Sequence, residues 1–189
     1  MSSARFGRCP LCGQRDVKTL DHYLPRESFP EFCVTPANLV PSCSDCNKTK
    51  GTLVPGTYRE QTFHPYFDNW STVTVMKADI VIRDRVDALF KIDESGANSP
   101  AWLERAKWHF RVFGLDALYS ENAAVEMVQR KHLFRLTHSI KGAPALKQEL
   151  AFEAQSRSKP FLNAWQPALY GALALNQEFC EGGFEKIEE

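Results

Sequence analysis

The strings CPLC at residues 9–12, LDHYLP at 20–25 and NLVPSCSDCNKTKG at 38–51 decide how this chain is read. Cys9/Cys12 and Cys43/Cys46 form two Cys-x-x-Cys pairs. Asp21, His22 and Asn38 lie between the pairs, and Asn47 and Lys50 follow the second pair directly. A Cys-x-x-Cys turn lets two sulfurs reach one ion, and two such turns complete a tetrahedron. Four thiolates leave no open coordination position, so the spacing predicts a structural Zn2+ held by Cys9, Cys12, Cys43 and Cys46. The long separation between Cys12 and Cys43 predicts an insertion that houses something functional.

Working outward, residues 18–21 read as a short strand ending at His22. Pro25, Pro30 and Pro36 keep residues 23–37 irregular, and residues 38–42 read as the returning strand. Ser44 or Asp45 can cap a short helix over residues 46–50, which Gly51 ends. A lone hairpin and a helix this short are each unstable in water. A bound metal therefore supplies a reason for the unit to fold.

Downstream, β-formers at residues 72–75, 80–82 and 89–92 predict a few strands. Ser99-Pro100 is a cap followed by a first-turn proline, and the character turns helical. Trp102, Ala106, Phe110 and Phe113 share one face of the first helix, which Gly114 ends, and are expected to be core. Val125, Val128, His132, Leu136 and Ile140 mark the expected buried face of a second helix. A third is predicted over residues 144–157 and a fourth from Pro167 through Leu175. The acidic tail, residues 181–189, is expected to fray. The predicted organisation is α+β, with a metal-bound module over residues 1–70, then strands and a C-terminal helical region over residues 71–189.

The chain has 189 residues, 23 Lys/Arg and 23 Asp/Glu, so it is not globally basic. Nucleic-acid binding would have to rest on local charge. Arg130, Lys131, Arg135 and Lys141 are the best candidates for a patch touching the DNA backbone. The two left-over cysteines, Cys33 and Cys180, are expected to be small buried apolar residues. No apolar leader opens the chain and no run of 18 apolar residues occurs, so neither secretion nor membrane spanning is expected. A reducing cytoplasm suits thiolate ligands.

CPLC…LDHYLP…NLVPSCSDCNKTKG resembles the HNH endonucleases, the ββα-metal nuclease superfamily, in its zinc-bound four-cysteine subgroup. The resemblance covers residues 9–51 and maps His22, Asn38 and Asn47 onto the motif, with asparagine in place of the last histidine. A looser likeness at TFHPYFD, residues 62–68, is to bacterial HNH proteins encoded near anti-phage systems. The resemblance implies a metal-dependent endonuclease that hydrolyses phosphodiester bonds in DNA, in bacterial defence or restriction. It implies His22 as general base; an imidazole at its ordinary pKa of about 6.5 is mostly neutral at pH 7. Asp21 and Asn47 would be oxygen ligands of a catalytic Mg2+ or Mn2+. Asn38 would pin the loop carrying His22, and Lys50, on the helix face of Asn47, would contact the phosphate.

A regulatory ATPase or another defence-system subunit is a possible partner on this reading. His64 is expected to pack Tyr66 and Phe67 rather than to enter the site. The competing classes are a non-catalytic zinc module that binds nucleic acid or protein, and an RNA-directed nuclease.

Overall fold

The computed structural model describes residues 4–68, 74–95 and 99–188. It is mixed α+β, with few strands and a largely helical C-terminal half. The chain forms two compact units, the first made of residues 1–70 and 98–115 and the second of residues 71–97 and 116–189. The first unit thus takes in a helix beyond the 1–70 module.

In the first unit, β1 (Thr19–His22) pairs antiparallel with β2 (Leu39–Ser42), and α1 (Ser44–Lys50) follows. Thr19 faces Ser42, Asp21 faces Val40 and His22 faces Leu39. Successive strand residues project to opposite sides, and the inner side carries Asp21, Val40 and Ser42, all buried. α1 lies over that side. Its N-cap is Cys43, not Ser44 or Asp45: the Cys43 Sγ accepts the Cys46 N–H at 3.3 Å. The expected capping chemistry is therefore supplied by a sulfur of the second cysteine pair.

α2 (Pro100–Val112) has the expected cap, with Ser99 Oγ accepting the Trp102 N–H at 3.3 Å. Ala106, Phe110 and Phe113 are buried as expected, and Trp102 is half-buried. Arg105 on the same helix is 3% exposed and carries the contacts that fix residues 58–68. It pairs with both Asp68 oxygens at 2.6 and 3.0 Å, donates to the Gln61 and Thr62 carbonyls, and lies over the Tyr58 and Phe63 rings. A buried guanidinium is tolerable because nearly every donor is matched.

The second unit holds β3 (Met76–Ile82) and β4 (Val86–Ile92), an antiparallel hairpin. Its two strands replace the three segments expected there, of which residues 72 and 73 lie outside the described residues. β4 alternates cleanly, burying Val86, Ala88, Phe90 and Ile92. The helices of this unit are α3 (Leu115–Ser158), α4 (Trp165–Leu175) and the short α5 (Gln177–Cys180). α3 starts earlier than expected, right after Gly114, and breaks at Gly142, whose φ of 78° is open to glycine but strained for other residues. Pro144 then sits in the first turn of the continuation, where a missing N–H costs nothing.

Three expectations for this unit fail. The buried stripe of α3 is Tyr119, Ala123, Met127, Lys131 and Phe134, while Val125, Val128, Leu136 and Ile140 are 39–68% exposed. The tail docks instead of fraying: Phe184 and Ile187 are buried, and the Ile187 carbonyl accepts from Lys131 Nζ at 2.7 Å. The basic patch is internally neutralised. Arg130 pairs with Glu153 at 2.8 Å, Arg135 pairs with Glu185, and Lys131 is buried. Arg130 ties together the two parts of α3 on either side of its break, Arg135 and Lys131 hold the helix to the tail, and only Lys141 of the four is left exposed with no ion pair among the described residues.

Candidate metal centre and hydrolytic site

The four motif cysteines are each at most 2% exposed, and their sulfurs all lie within 4.8 Å of one another. Sulfurs around a tetrahedral zinc, at about 2.3 Å from the ion, sit roughly 3.8 Å apart, so the cluster needs only a small contraction to hold one. The two knuckles are built alike. Gly13, at φ 67°, turns its N–H onto the Cys9 carbonyl at 2.7 Å, a turn that needs a residue at ease in the left-handed region. The Cys43 sulfur receives the Cys46 N–H in the second. Cys12 is held low as the acceptor of its Cys46 and Cys9 neighbours, whereas Cys9 is pushed up to about 11, first by its bond to Cys12. Cys46 is raised for the same reason, and burial adds to it. Crowded buried thiols of this kind could hold a metal ion, which would share out their charge. Cys33 lies apart and is half-buried rather than buried; Cys180 is buried as expected.

His109 of α2 supports the first knuckle. It is 1% exposed, its Nε2 lies 2.8 Å from the Leu11 carbonyl, and its Nδ1 accepts the Phe63 N–H at 3.1 Å. A carbonyl can only accept, so Nε2 carries the proton and the ring is neutral. Burial lowers its pKa to about 4. Sequence reading gave this residue no role; only the fold brings residue 109 to residue 11.

The Asp21-His22 pair closes β1. Asp21 is 5% exposed on the side facing α1. Lys50 Nζ lies 3.3 and 3.2 Å from its two carboxylate oxygens and donates to the His22 carbonyl at 2.7 Å. Lys50 is itself 5% exposed. It was expected to face a phosphate; it instead reaches inward, because the last turn of α1 lies over the strand. Burial pushes the Asp21 carboxyl above the usual carboxylate range, and the ammonium offsets this only in part. Asn47, three residues earlier on the same helix face, donates through Nδ2 to Thr19 Oγ1 at 3.0 Å. Its amide oxygen accepts no hydrogen bond among the described residues. Thr19, Asp21, Asn47 and Lys50 therefore form one contact row between strand and helix.

His22, one residue along at the end of β1, pairs with Leu39 across the hairpin and is near enough to Asp21 to act electrostatically on its carboxyl. Its Nε2 is 2.9 Å from the Cys33 carbonyl, which fixes the proton on Nε2. Nδ1 accepts no hydrogen bond from the described residues. That separates His22 from His64 and His109. His64 Nε2 donates to Ala37 O at 3.0 Å while its Nδ1 accepts the Tyr66 N–H at 3.2 Å, and burial lowers its pKa. The ring packs Tyr23, Tyr66 and Phe67 at 4.3–5.4 Å between centroids. His64 is thus consumed in packing, as its sequence context suggested.

Asn38, 6% exposed, clamps the turn after His22. Its Oδ1 accepts the Leu24 N–H at 2.7 Å, and its Nδ2 donates to the Leu24 and Phe32 carbonyls at 3.0 and 3.2 Å. Its own carbonyl accepts the Tyr23 N–H at 2.8 Å.

Known proteins are similar to this chain in two ways. Protein ea31 of Escherichia phage lambda is 31% identical over 198 residues, covering 93% of this chain and 64% of the phage protein. Septu protein PtuB of Bacillus thuringiensis is 39% identical over 47 residues, covering 25% of this chain and 18% of that protein. The chain therefore spans less than two thirds of the length of either relative. No family model matches it, and no solved structure matches it. Among the described residues, no helix is long and apolar enough to cross a membrane.

Proposed function

We propose that the first unit is a metal-dependent endonuclease site of the HNH kind, hydrolysing phosphodiester bonds in DNA on a scaffold fixed by a four-cysteine zinc. The observation that carries this reading is the state of His22: Nε2 is anchored on the Cys33 carbonyl, and Nδ1 is left as a proton acceptor. A base needs both an orienting bond and an open lone pair. Neither His64 nor His109 has both.

In this reading His22 Nδ1 takes a proton from water as the water oxygen bonds to phosphorus. The bond to the 3′ oxygen breaks, and that oxygen takes a proton to leave as a hydroxyl. Asn38 keeps the imidazole on its axis by holding the backbone of residues 23 and 24. Asp21 and the free amide oxygen of Asn47 would hold a Mg2+ or Mn2+. The donor set fits, because Asp21 is a buried carboxylate that already faces a cation with both oxygens. Such an ion supplies charge stabilisation for the phosphate and the leaving oxygen. Similarity to a phage protein and to a Septu protein supports a phage- or defence-related role, which leaves room for a partner subunit that activates the site.

The test is plasmid nicking by zinc-loaded protein with Mg2+ or Mn2+. His22→Ala should abolish nicking with zinc content and circular dichroism unchanged. Cleavage that survives this substitution removes His22 from the mechanism. An intact fold with no cleavage of duplex DNA, single-stranded DNA or RNA under any divalent ion favours a non-catalytic zinc module.

A further inference from the structure

The Lys50 ammonium holds the carboxylate that the proposed Mg2+ or Mn2+ would need. It is 5% exposed, faces both oxygens of a carboxylate that is also 5% exposed, and is held by the His22 carbonyl at 2.7 Å. A salt bridge whose only purpose was to join helix to strand would not need to engage the backbone of the candidate base as well. We propose that Lys50 is an internal counter-ion that closes the Asp21 site in the free protein and is drawn away by the substrate phosphate. This deepens the hydrolytic reading and rests on it.

Two cations cannot share one carboxylate at close range without strong repulsion. While Lys50 holds Asp21, a divalent ion must either displace an ammonium or bind beside it. Vacating Asp21 with no new partner would strand a positive charge in a buried place. A phosphodiester removes that obstacle. It carries one negative charge, and Lys50, at the C-terminal end of α1, hangs on a four-carbon stem that can swing from carboxylate to phosphate. The ammonium then trades one anion for another, and Asp21 is left to the incoming ion. Metal and nucleic acid thereby bind with positive coupling, and each raises the affinity of the other by the same factor. In function, the free enzyme would stay poorly loaded with metal and spare other phosphate esters, and it would complete its site only on a bound strand. The lysine predicted to touch phosphate and the lysine found on Asp21 are then the same residue in two states.

The experiment measures Mn2+ binding by electron paramagnetic resonance of the free ion. It uses the full zinc-loaded chain in a His22→Ala background, so that DNA survives, with and without a short duplex. With Lys50 in place, Mn2+ should bind weakly alone and about tenfold or more tighter with duplex present. Lys50→Met should bind Mn2+ tightly without DNA, and the duplex should then add little. Lys50→Gln, which keeps a neutral polar donor on the same helix face but drops the charge, should behave like Lys50→Met and guards against a folding defect. Asp21→Asn sets the background.

Equal Mn2+ affinity with and without duplex, unchanged in both lysine variants but lost in Asp21→Asn, overturns the counter-ion while the hydrolytic site stands. Binding no better than Asp21→Asn in every folded protein overturns the site itself, and the counter-ion with it.

Discussion

Asn38 gives the sharpest test of how the site is built, because two substitutions that look alike should behave differently. Asn38→Ala deletes one bond accepted from Leu24 N–H and two donated to the Leu24 and Phe32 carbonyls, at 2.7, 3.0 and 3.2 Å. Each such bond is worth about 1 kcal/mol net, and buried partners left unpaired cost about 1–3 kcal/mol. Water can reach part of the half-buried loop, so the expected loss is about 2–3 kcal/mol. Asn38→Asp keeps the size, the turn preference and the bond from Leu24 N–H. It replaces the amide donor with a carboxylate oxygen aimed at two carbonyl oxygens at a site 6% exposed. Repulsion and desolvation should make it at least as damaging as alanine, although asparagine and aspartate are near equals in ordinary turns. The assay is urea unfolding of zinc-loaded protein followed by circular dichroism, with the slope of the transition compared as well as its midpoint. Asn38→Asp close to wild type, with Asn38→Ala clearly destabilised, would refute the clamp and leave Asn38 as a plain turn residue.

Three more outcomes follow from the first unit. Cys43→Ser should lower zinc content below one ion per chain and depress the melting temperature, since it removes a thiolate ligand while the serine oxygen can still cap α1; an unchanged zinc content and melting curve would contradict a structural site. Arg105→Met should cost about 3–5 kcal/mol by leaving the Asp68 carboxylate without its cation and taking a donor from the Gln61 and Thr62 carbonyls, whereas Arg135→Met, at an exposed pair, should scarcely move the same curve. His109 has its folded pKa lowered to about 4 from an ordinary value near 6.5, so the unfolded chain binds more protons in that window. Its contribution is therefore complete above pH 6.5 and falls by about 1.4 kcal/mol per unit as pH drops towards 4. His109→Gln, which can donate to Leu11 and accept from Phe63, should remove that slope; unfolding titrations that run parallel for the two proteins would show that the ring is not held neutral.

The parts of this molecule that are legible in sequence are those where chemistry and local geometry coincide. Two tight cysteine pairs can close on one ion with no help from the rest of the chain, and the sulfurs do cluster. The Ser99-Pro100 cap is local, as is the turn chemistry that separates β1 from β2. What could not be read were choices settled by distant partners. Lys50 fits a last-turn lysine, a phosphate ligand and a counter-ion equally well until β1 is placed beneath α1. His109 is one helical histidine among several until residue 11 arrives beside it.

The miss on α3 shows why periodicity alone fails in such a helix. Its sequence carries two apolar stripes at helical spacing, one through Val125, Val128, Leu136 and Ile140 and one through Tyr119, Ala123, Met127 and Phe134. The first, which also includes His132, has no Lys, Arg, Asp or Glu at its own positions and reads as the better core. The second is interrupted by Lys131, which pattern reading counts against burial. Yet a lysine stem is hydrocarbon for four carbons, and Lys131 lies along the core while its ammonium meets the Ile187 carbonyl. The same misjudgement hid the docked tail, because an acidic segment looks solvated unless Arg135 and Lys131 are known to face it. In both units, then, a buried lysine bonds a main-chain carbonyl contributed by another segment, His22 for Lys50 and Ile187 for Lys131. Lys50 also holds a carboxylate, Asp21, that a divalent ion would want, and that contact is what its proposed use turns on.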